Sequence, residues 1–239
     1  MEASQWLKFV QYWLLPAICV VCSKAGAGFA DLCSVCHDSL ARIDRPCRSC
    51  ALPLPAGDHG SEICGRCLGR RQRMTRTVAA LAYKAPVSSL IAGFKYHGAL
   101  QHGRVLADLL AVSVQAAYRD MALPQLLVPV PLHPSRLRER GFNQALMLAQ
   151  QLGAALQIPV AATALTRTRE TRSQQGLSAK ERKRNLRGAF TLHADLSAYD
   201  SVALIDDVVT TMSTMHELAR VLRGAHPAIE LHVWCLARA

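Results

Sequence analysis

The stretch VALIDDVVTTMST, residues 202–214, decides the fold. Four apolar residues lead into Asp206 and Asp207, two valines follow, and a Thr/Ser-rich turn opens the amphipathic segment MHELARVLR. The apolar run reads as a strand buried on both faces of a parallel sheet. Leu218, Val221 and Leu222 recur at helical spacing, and Gly224 with Pro227 closes the helix. In an open parallel sheet, ligands bind beyond the carboxyl ends of the strands, where the two acids fall. Thr210, Thr211, Met212, Ser213 and Thr214 then offer consecutive N–H groups at a helix N-terminus, with hydroxyls as further donors. Such a turn is an anion cradle. Carboxylates beside it would repel a bare phosphate, so they make sense holding ribose hydroxyls, a magnesium ion, or both. The expected ligand is a phosphorylated sugar. The plainer reading makes Thr214 and Glu217 a capping box and the acids a strand end. That reading is compatible with the first but leaves the paired acids unexplained.

Outward from this unit, further strands are expected at 77–83 (TVAALAY), 126–132 (LLVPVPL), 158–165 (IPVAATAL), 189–192 (AFTL) and 229–236 (IELHVWCL). Apolar faces predict helices over 87–96, 105–118 and 141–156. Strands alternating with helices imply a three-layer parallel α/β domain over residues 76–239.

Residues 1–75 are different. Eight of nine cysteines form four C-x-x-C pairs: Cys19/Cys22, Cys33/Cys36, Cys47/Cys50 and Cys64/Cys67. The two-residue spacer lets both thiolates converge on one ion, and two such knuckles complete a four-cysteine zinc site with no open position for chemistry. Two consecutive ribbons, hence two zinc ions, are the simplest pairing; crossed pairings and disulfides are the alternatives. Residues 16–70 hold few large apolar side chains, so zinc binding supplies the folding free energy there. Cys235, in a strand-like run, reads as a buried core thiol.

The formal charge of +11 points to an anionic partner; two four-thiolate zinc sites lower it to about +7. Between Arg136 and Arg187 stand eleven Lys/Arg against three Glu. Arg169, Arg172, Lys180, Arg182, Lys183, Arg184 and Arg187 are the nucleic-acid candidates in this run. Few aromatics accompany them, so backbone-dominated binding is expected. The N-terminal run WLKFVQYWLLPAICVVC lacks a basic n-region and carries Lys8, Gln11 and two cysteines. It reads as a short amphipathic helix over 6–15 rather than a signal peptide, with an interfacial membrane contact as the alternative. No stretch has the ~20 apolar residues of a membrane span. A cytoplasmic protein without stable membrane insertion is expected.

LIDDVVTTMST resembles the phosphoribosyl pyrophosphate (PRPP) motif of type I phosphoribosyltransferases. VPVPLHPSRLRERGFNQA, TRTRETRSQQGLSAKERKRNLRGAF, SSLIAGFKYHGA and the paired knuckles are similar to the ComF family of competence and DNA-utilisation proteins. The resemblance runs from about Cys19 to Arg238. It implies a type I phosphoribosyltransferase-like domain behind an N-terminal helix and double zinc ribbon. It further implies that Asp206 and Asp207 hold ribose hydroxyls and Mg²⁺, and that the 210–214 turn receives the 5′-phosphate. Residues 129–133 would face pyrophosphate, with His133, Arg138 and Arg140 nearby, and 168–184 would be a mobile loop over the site. One departure stands out: Met212 occupies the place of the family's usual glycine, which either reshapes the phosphate site or leaves the methionine side chain pointing outward.

Three functions follow as expectations. The first is a DNA-uptake or DNA-utilisation factor that binds PRPP with Mg²⁺ and handles single-stranded DNA, alongside an uptake helicase or other competence proteins. The second is an active phosphoribosyltransferase, needing positioning and leaving-group stabilisation rather than a catalytic nucleophile. No nucleobase-recognition segment is recognisable for it. The third is a nucleic-acid-binding regulator that senses a nucleotide.

Overall fold

The last strand of this protein is buried along almost its whole length. The structure is a computed structural model that describes residues 18–25, 31–57, 60–69, 73–169 and 184–239; the expected 6–15 helix lies outside them. In chain order the elements are α1 (Ser34–Asp38), β1 (Arg76–Ala82), α2 (Val87–Tyr96), α3 (Leu100–Ala117), β2 (Leu126–Pro129), α4 (Pro134–Arg140), α5 (Gln144–Leu156), β3 (Leu165–Arg167), β4 (Phe190–Leu192), β5 (Ser201–Val209), α6 (Ser213–Ala225) and β6 (Glu230–Arg238). Strands β1, β6, β5 and β2 form a parallel sheet in that order. With neighbours on both sides, β6 is buried at every residue after Glu230, which is why ELHVWCLAR reads as almost continuously apolar.

Alternate residues of the central strands feed two cores. Ala203, Ile205, Trp234 and Leu236 pack with Ile91 of α2, Leu106 and Leu110 of α3 and Leu148 of α5. Val202, Leu204, Val233 and Cys235 pack with Met215, Leu218 and Leu222 of α6. The spacing of those three α6 residues gives one buried stripe, and α6 makes the crossover between parallel neighbours β5 and β6. On the first face, Tyr118 Oη hydrogen-bonds with His232 Nδ1 at 2.7 Å and accepts from Trp234 Nε1 at 3.1 Å.

Neither sheet edge is bare, which removes a template for aggregation. The ribbon covers β1: Thr77 N donates to Arg48 O (2.7 Å) and Ala82 N to Ala41 O (2.8 Å). Residues 158–161 cover β2, with Leu127 N donating to Pro159 O and Ala161 N to Leu127 O, both at 2.9 Å.

Several expected elements differ. The strand expected at 158–165 reduces to one bridge, Leu127 to Val160; Pro159 has no N–H to extend a ladder, and the chain turns before β3. Strand β4 exists, but it pairs antiparallel with β3 outside the main sheet. Helix α3 starts at Leu100 rather than 105, with an exposed first turn that carries no apolar periodicity. The helix expected from 141 begins at Gln144: Gly141, at φ +82, ends α4, and Asn143 caps α5 by accepting from Ala145 N at 3.0 Å. Among the described residues no helix is long and apolar enough to cross a membrane.

Candidate functional site

Asp206 and Asp207 occupy the last four residues of β5, flanked by β6 and close to the end of β2. Each carboxylate accepts a following backbone N–H: Asp206 Oδ1 from Asp207 at 2.8 Å, Asp207 Oδ1 from Val208 at 2.6 Å. Burial and the neighbouring Asp207 charge push the Asp206 carboxyl up to about 7, with Lys95 opposing. The pair is therefore a place where a cation is electrostatically welcome.

One cation is already there. Lys95 Nζ lies 2.7 Å from Asp207 Oδ2. Burial works against the ammonium, yet Asp207, with Asp206 behind it, raises its pKa. Sequence reasoning passed over Lys95, although it sits in the quoted SSLIAGFKYHGA. Its placement depends on a close approach of α2 to α3. A Cβ on Gly93 would stand 2.5 Å from the His102 ring, and one on Gly103 2.5 Å from the Phe94 ring. Only glycine lets the helices meet and bring the last turn of α2 to the end of β5. Arg167 of β3, counted in the basic run but not among the site residues, is a second cation here. Burial lowers its pKa, while Asp206 supports its charge and Arg136 opposes it, and its guanidinium stands over the Phe190 ring at 5.5 Å.

Beyond β5 the chain turns into α6, whose first N–H groups have no acceptor within the helix. Thr211 Oγ1 and Ser213 Oγ lie 2.8 Å apart in this turn. Met212 is the N-cap, at φ +61 and ψ +6. It adopts the left-handed conformation that the usual glycine would favour, and its side chain is buried in the α6 core rather than pointing outward. Left-handed backbone costs about 1–2 kcal/mol, and burying a methionine stabilises by about 1.5–3 kcal/mol, so the exchange balances. The expected Thr214–Glu217 capping box does not form: the cap is Met212. Glu217 instead accepts from Gly188 N at 2.7 Å and pairs with Arg220 at 2.7 Å, which holds the start of β4 against α6.

Arg238 braces the same turn from below. Its guanidinium is buried and donates to Cys50 O at 2.7 Å, to Val209 O at 3.0 Å, and to Thr210 O and Ala239 O. One side chain thus ties a cysteine knuckle to the start of the turn. Nothing in the sequence pattern distinguished this arginine.

The remaining candidates are spread more widely. His133 caps α4, its Nδ1 accepting from Ser135 N, so that nitrogen is committed to structure. Arg140 lies 5.1 Å from the Tyr96 ring and donates to Gln144, while Arg138 is exposed. Arg169 donates to Asn185 O and Arg187 O at 2.7 and 2.9 Å. That places it beside the exposed Arg184 and Arg187, the other described members of the basic run expected to meet nucleic acid. Arg184 and Arg187 are exposed. Arg172, Lys180, Arg182 and Lys183, with most of the expected mobile loop, lie outside the described residues.

The cysteines resolve into consecutive ribbons. Cys19, Cys22, Cys33 and Cys36 converge in one cluster and Cys47, Cys50, Cys64 and Cys67 in another, with all Sγ atoms of a cluster within 4.8 Å of one another. Cys22–Cys33 and Cys50–Cys64 Sγ atoms are 3.7 Å apart. Tetrahedral zinc with bonds of about 2.3 Å requires sulfur separations of about 3.8 Å, so both clusters fit the ion. Cys64 N donates to Cys47 Sγ at 3.2 Å, the amide support that thiolates need. Cys235 is fully buried, and burial raises its thiol pKa, as expected of a core residue.

Comparisons with known proteins agree with this arrangement. Residues 10–68 match the double zinc ribbon domain family. Competence protein F of Haemophilus influenzae is 38% identical over 212 residues, covering 87% of this chain and 90% of that protein. DNA utilization protein YhgH of Escherichia coli K12 is 38% identical over 228 residues, covering 94% and 98%. Competence protein ComFC of Bacillus subtilis is 24% identical over 214 residues, covering 87% and 84%. Among solved structures, a purine phosphoribosyltransferase from Pyrococcus horikoshii gives a TM-score of 0.35 at 17% identity, over 56% of this chain and 72% of that one, a likeness too loose to carry an argument. With two ribbons ahead of a parallel α/β unit and close relatives matched along almost their whole length, the chain belongs to the ComF family.

Proposed function

We propose that this protein is a cytoplasmic DNA-uptake or DNA-utilisation factor that binds PRPP with Mg²⁺ and handles single-stranded DNA. The relatives' names support the DNA role. The observation that carries the ligand is the acid pair at the end of β5, with Lys95 against it and a helix N-terminus following it. Asp206 and Asp207 would hold Mg²⁺ and the ribose hydroxyls. The ion would compete with Lys95 for Asp207 and offset both the burial and the Asp207 repulsion that lift the Asp206 pKa. The 210–214 turn would take the 5′-phosphate. An active transferase gains some support from Lys95 and Arg167, since cations beside the acids can take up charge on departing pyrophosphate.

Titration calorimetry with Mg²⁺ and PRPP tests the shared site. Wild type is expected to bind one PRPP per chain, and Asp206→Asn or Asp207→Asn to lose at least tenfold in affinity. Equal heats in all three proteins exclude the site. Pyrophosphate release on adding nucleobases or nucleotides would move the protein to the transferase reading.

A further inference from the structure

Away from the acid pair, a cleft of about 590 Å³ opens where the second ribbon meets β1 and the end of α3. Arg42, Arg45 and Arg48 of the ribbon and Arg76 of β1 line it, and Glu62 is the one acid among its described lining residues. A second hollow of about 320 Å³ shares Arg48 and Arg76 and adds Arg223 of α6. Neither is lined by Asp206, Asp207 or the 210–214 turn. Five arginines therefore line the two hollows, against a single carboxylate among the described lining residues; one of them, Arg42, also contacts His37 Nε2 at 2.9 Å.

We infer that this double hollow is a track for the phosphodiester backbone of single-stranded nucleic acid, distinct from the PRPP site and from the 136–187 basic run. The inference rests on the single-strand part of the proposed function and gives it a location. Arginine forks match phosphate oxygens two at a time. Charges shared between two neighbouring hollows suit a polymer with repeating phosphates better than one small anion. Among the described residues no aromatic side chain lines either hollow, so no stacking platform for bases is found there and the contact is expected to be indifferent to sequence. Arg76 is a fixed charge: its Nη1 donates to Ala117 O at 2.9 Å and its guanidinium lies 5.7 Å from the Tyr118 ring. Arg48 is an exchangeable one. Its 3.2 Å pair with Glu62 is exposed on both sides, and such pairs contribute under about 1 kcal/mol, so a phosphate can replace the carboxylate.

Anisotropy of a fluorescent oligothymidylate across a salt series tests the track. The full-length, zinc-loaded protein is compared with Arg42→Glu/Arg48→Glu. Zinc content and melting temperature serve as the folding check, and Arg45→Asn is a second variant, since asparagine suits the left-handed backbone at φ +46. The track predicts affinity at least about tenfold weaker in the double variant and a salt slope shallower by about 0.7 per lost phosphate contact, with PRPP heats unchanged. Variants that bind like wild type, at an unchanged slope, overturn the track while leaving DNA handling intact. Wild type that binds no oligonucleotide overturns both. Displacement of the oligonucleotide by polyglutamate at matched charge, as readily as by unlabelled oligothymidylate, would assign the cleft to acidic polypeptide and also overturn the proposal.

Discussion

The two four-cysteine clusters have the same ligands and the same knuckle spacing, yet they join the α/β unit differently. The first lies on the α2–α3 face: Cys19, Leu32, Cys36 and Leu40 extend that apolar core, and the polar ties nearby are Ala82 N to Ala41 O and Arg104 to Asp31 at 3.7 Å. The second lies with the α6 core and is bonded into the strands. Thr77 Oγ1 donates to Ser49 O at 2.7 Å, and Arg238 reaches from Cys50 O to the turn that follows β5. The first cluster is a pad that covers apolar surface. The second is a brace: Arg238 ties its Cys50 carbonyl to Val209 and Thr210 at the start of the candidate phosphate turn. Identical metal chemistry thus serves two mechanical roles, set by what each ribbon's carbonyls meet.

The largest effects should come from removing the metals one at a time. Cys22→Ser and Cys50→Ser are each expected to cost one zinc per chain, and structural zinc is worth about 10 kcal/mol or more in small zinc-dependent folds. Hydrogen exchange separates them: amides of the 210–214 turn should exchange faster in Cys50→Ser and stay protected in Cys22→Ser. Arg238→Met isolates the bond itself. It should keep both zincs, lose about 3 kcal/mol because buried carbonyls lose their donor, and free the same turn. Equal loss of turn protection in both cysteine variants would break the comparison.

A smaller effect sharpens it on the other face. Burial, with the Arg76 charge adding to it, depresses the His232 pKa to about 4. The folded protein therefore binds fewer protons than the unfolded chain between about pH 4 and 6.5. Stability from this group is complete above about 6.5 and falls as pH drops toward 4, by about 2 kcal/mol from pH 7 to pH 5. Denaturation midpoints of wild type and His232→Gln at the two pH values should show a steeper acid loss in wild type, both proteins sharing the same acid lability of zinc. Parallel curves would exclude it.

What was legible in the sequence was local. A C-x-x-C knuckle declares its chemistry in four residues, and strand, turn and helix around Asp206 read directly from one stretch. Even Met212 was visible as a departure, although its buried side chain was not, because which way a residue faces depends on α6 docking. What sequence could not show was contact between distant segments. Lys95 meets Asp207 across more than a hundred residues, through two glycines whose role is helix–helix approach. Arg238 meets Cys50 across nearly the whole chain. Glu217 preferred Gly188 to its own helix end, and Pro159 silenced a ladder that apolar content alone suggested.

The central claim is that the β5 acids and the turn behind them form one binding site. Anomalous diffraction from crystals grown with Mn²⁺ and PRPP tests it most directly. The account predicts a manganese peak within coordination distance of the Asp206 and Asp207 carboxylates, Lys95 shifted away from Asp207, and the 5′-phosphate on the 210–214 amides. Manganese and PRPP bound elsewhere, with the Lys95–Asp207 pair undisturbed, would contradict it.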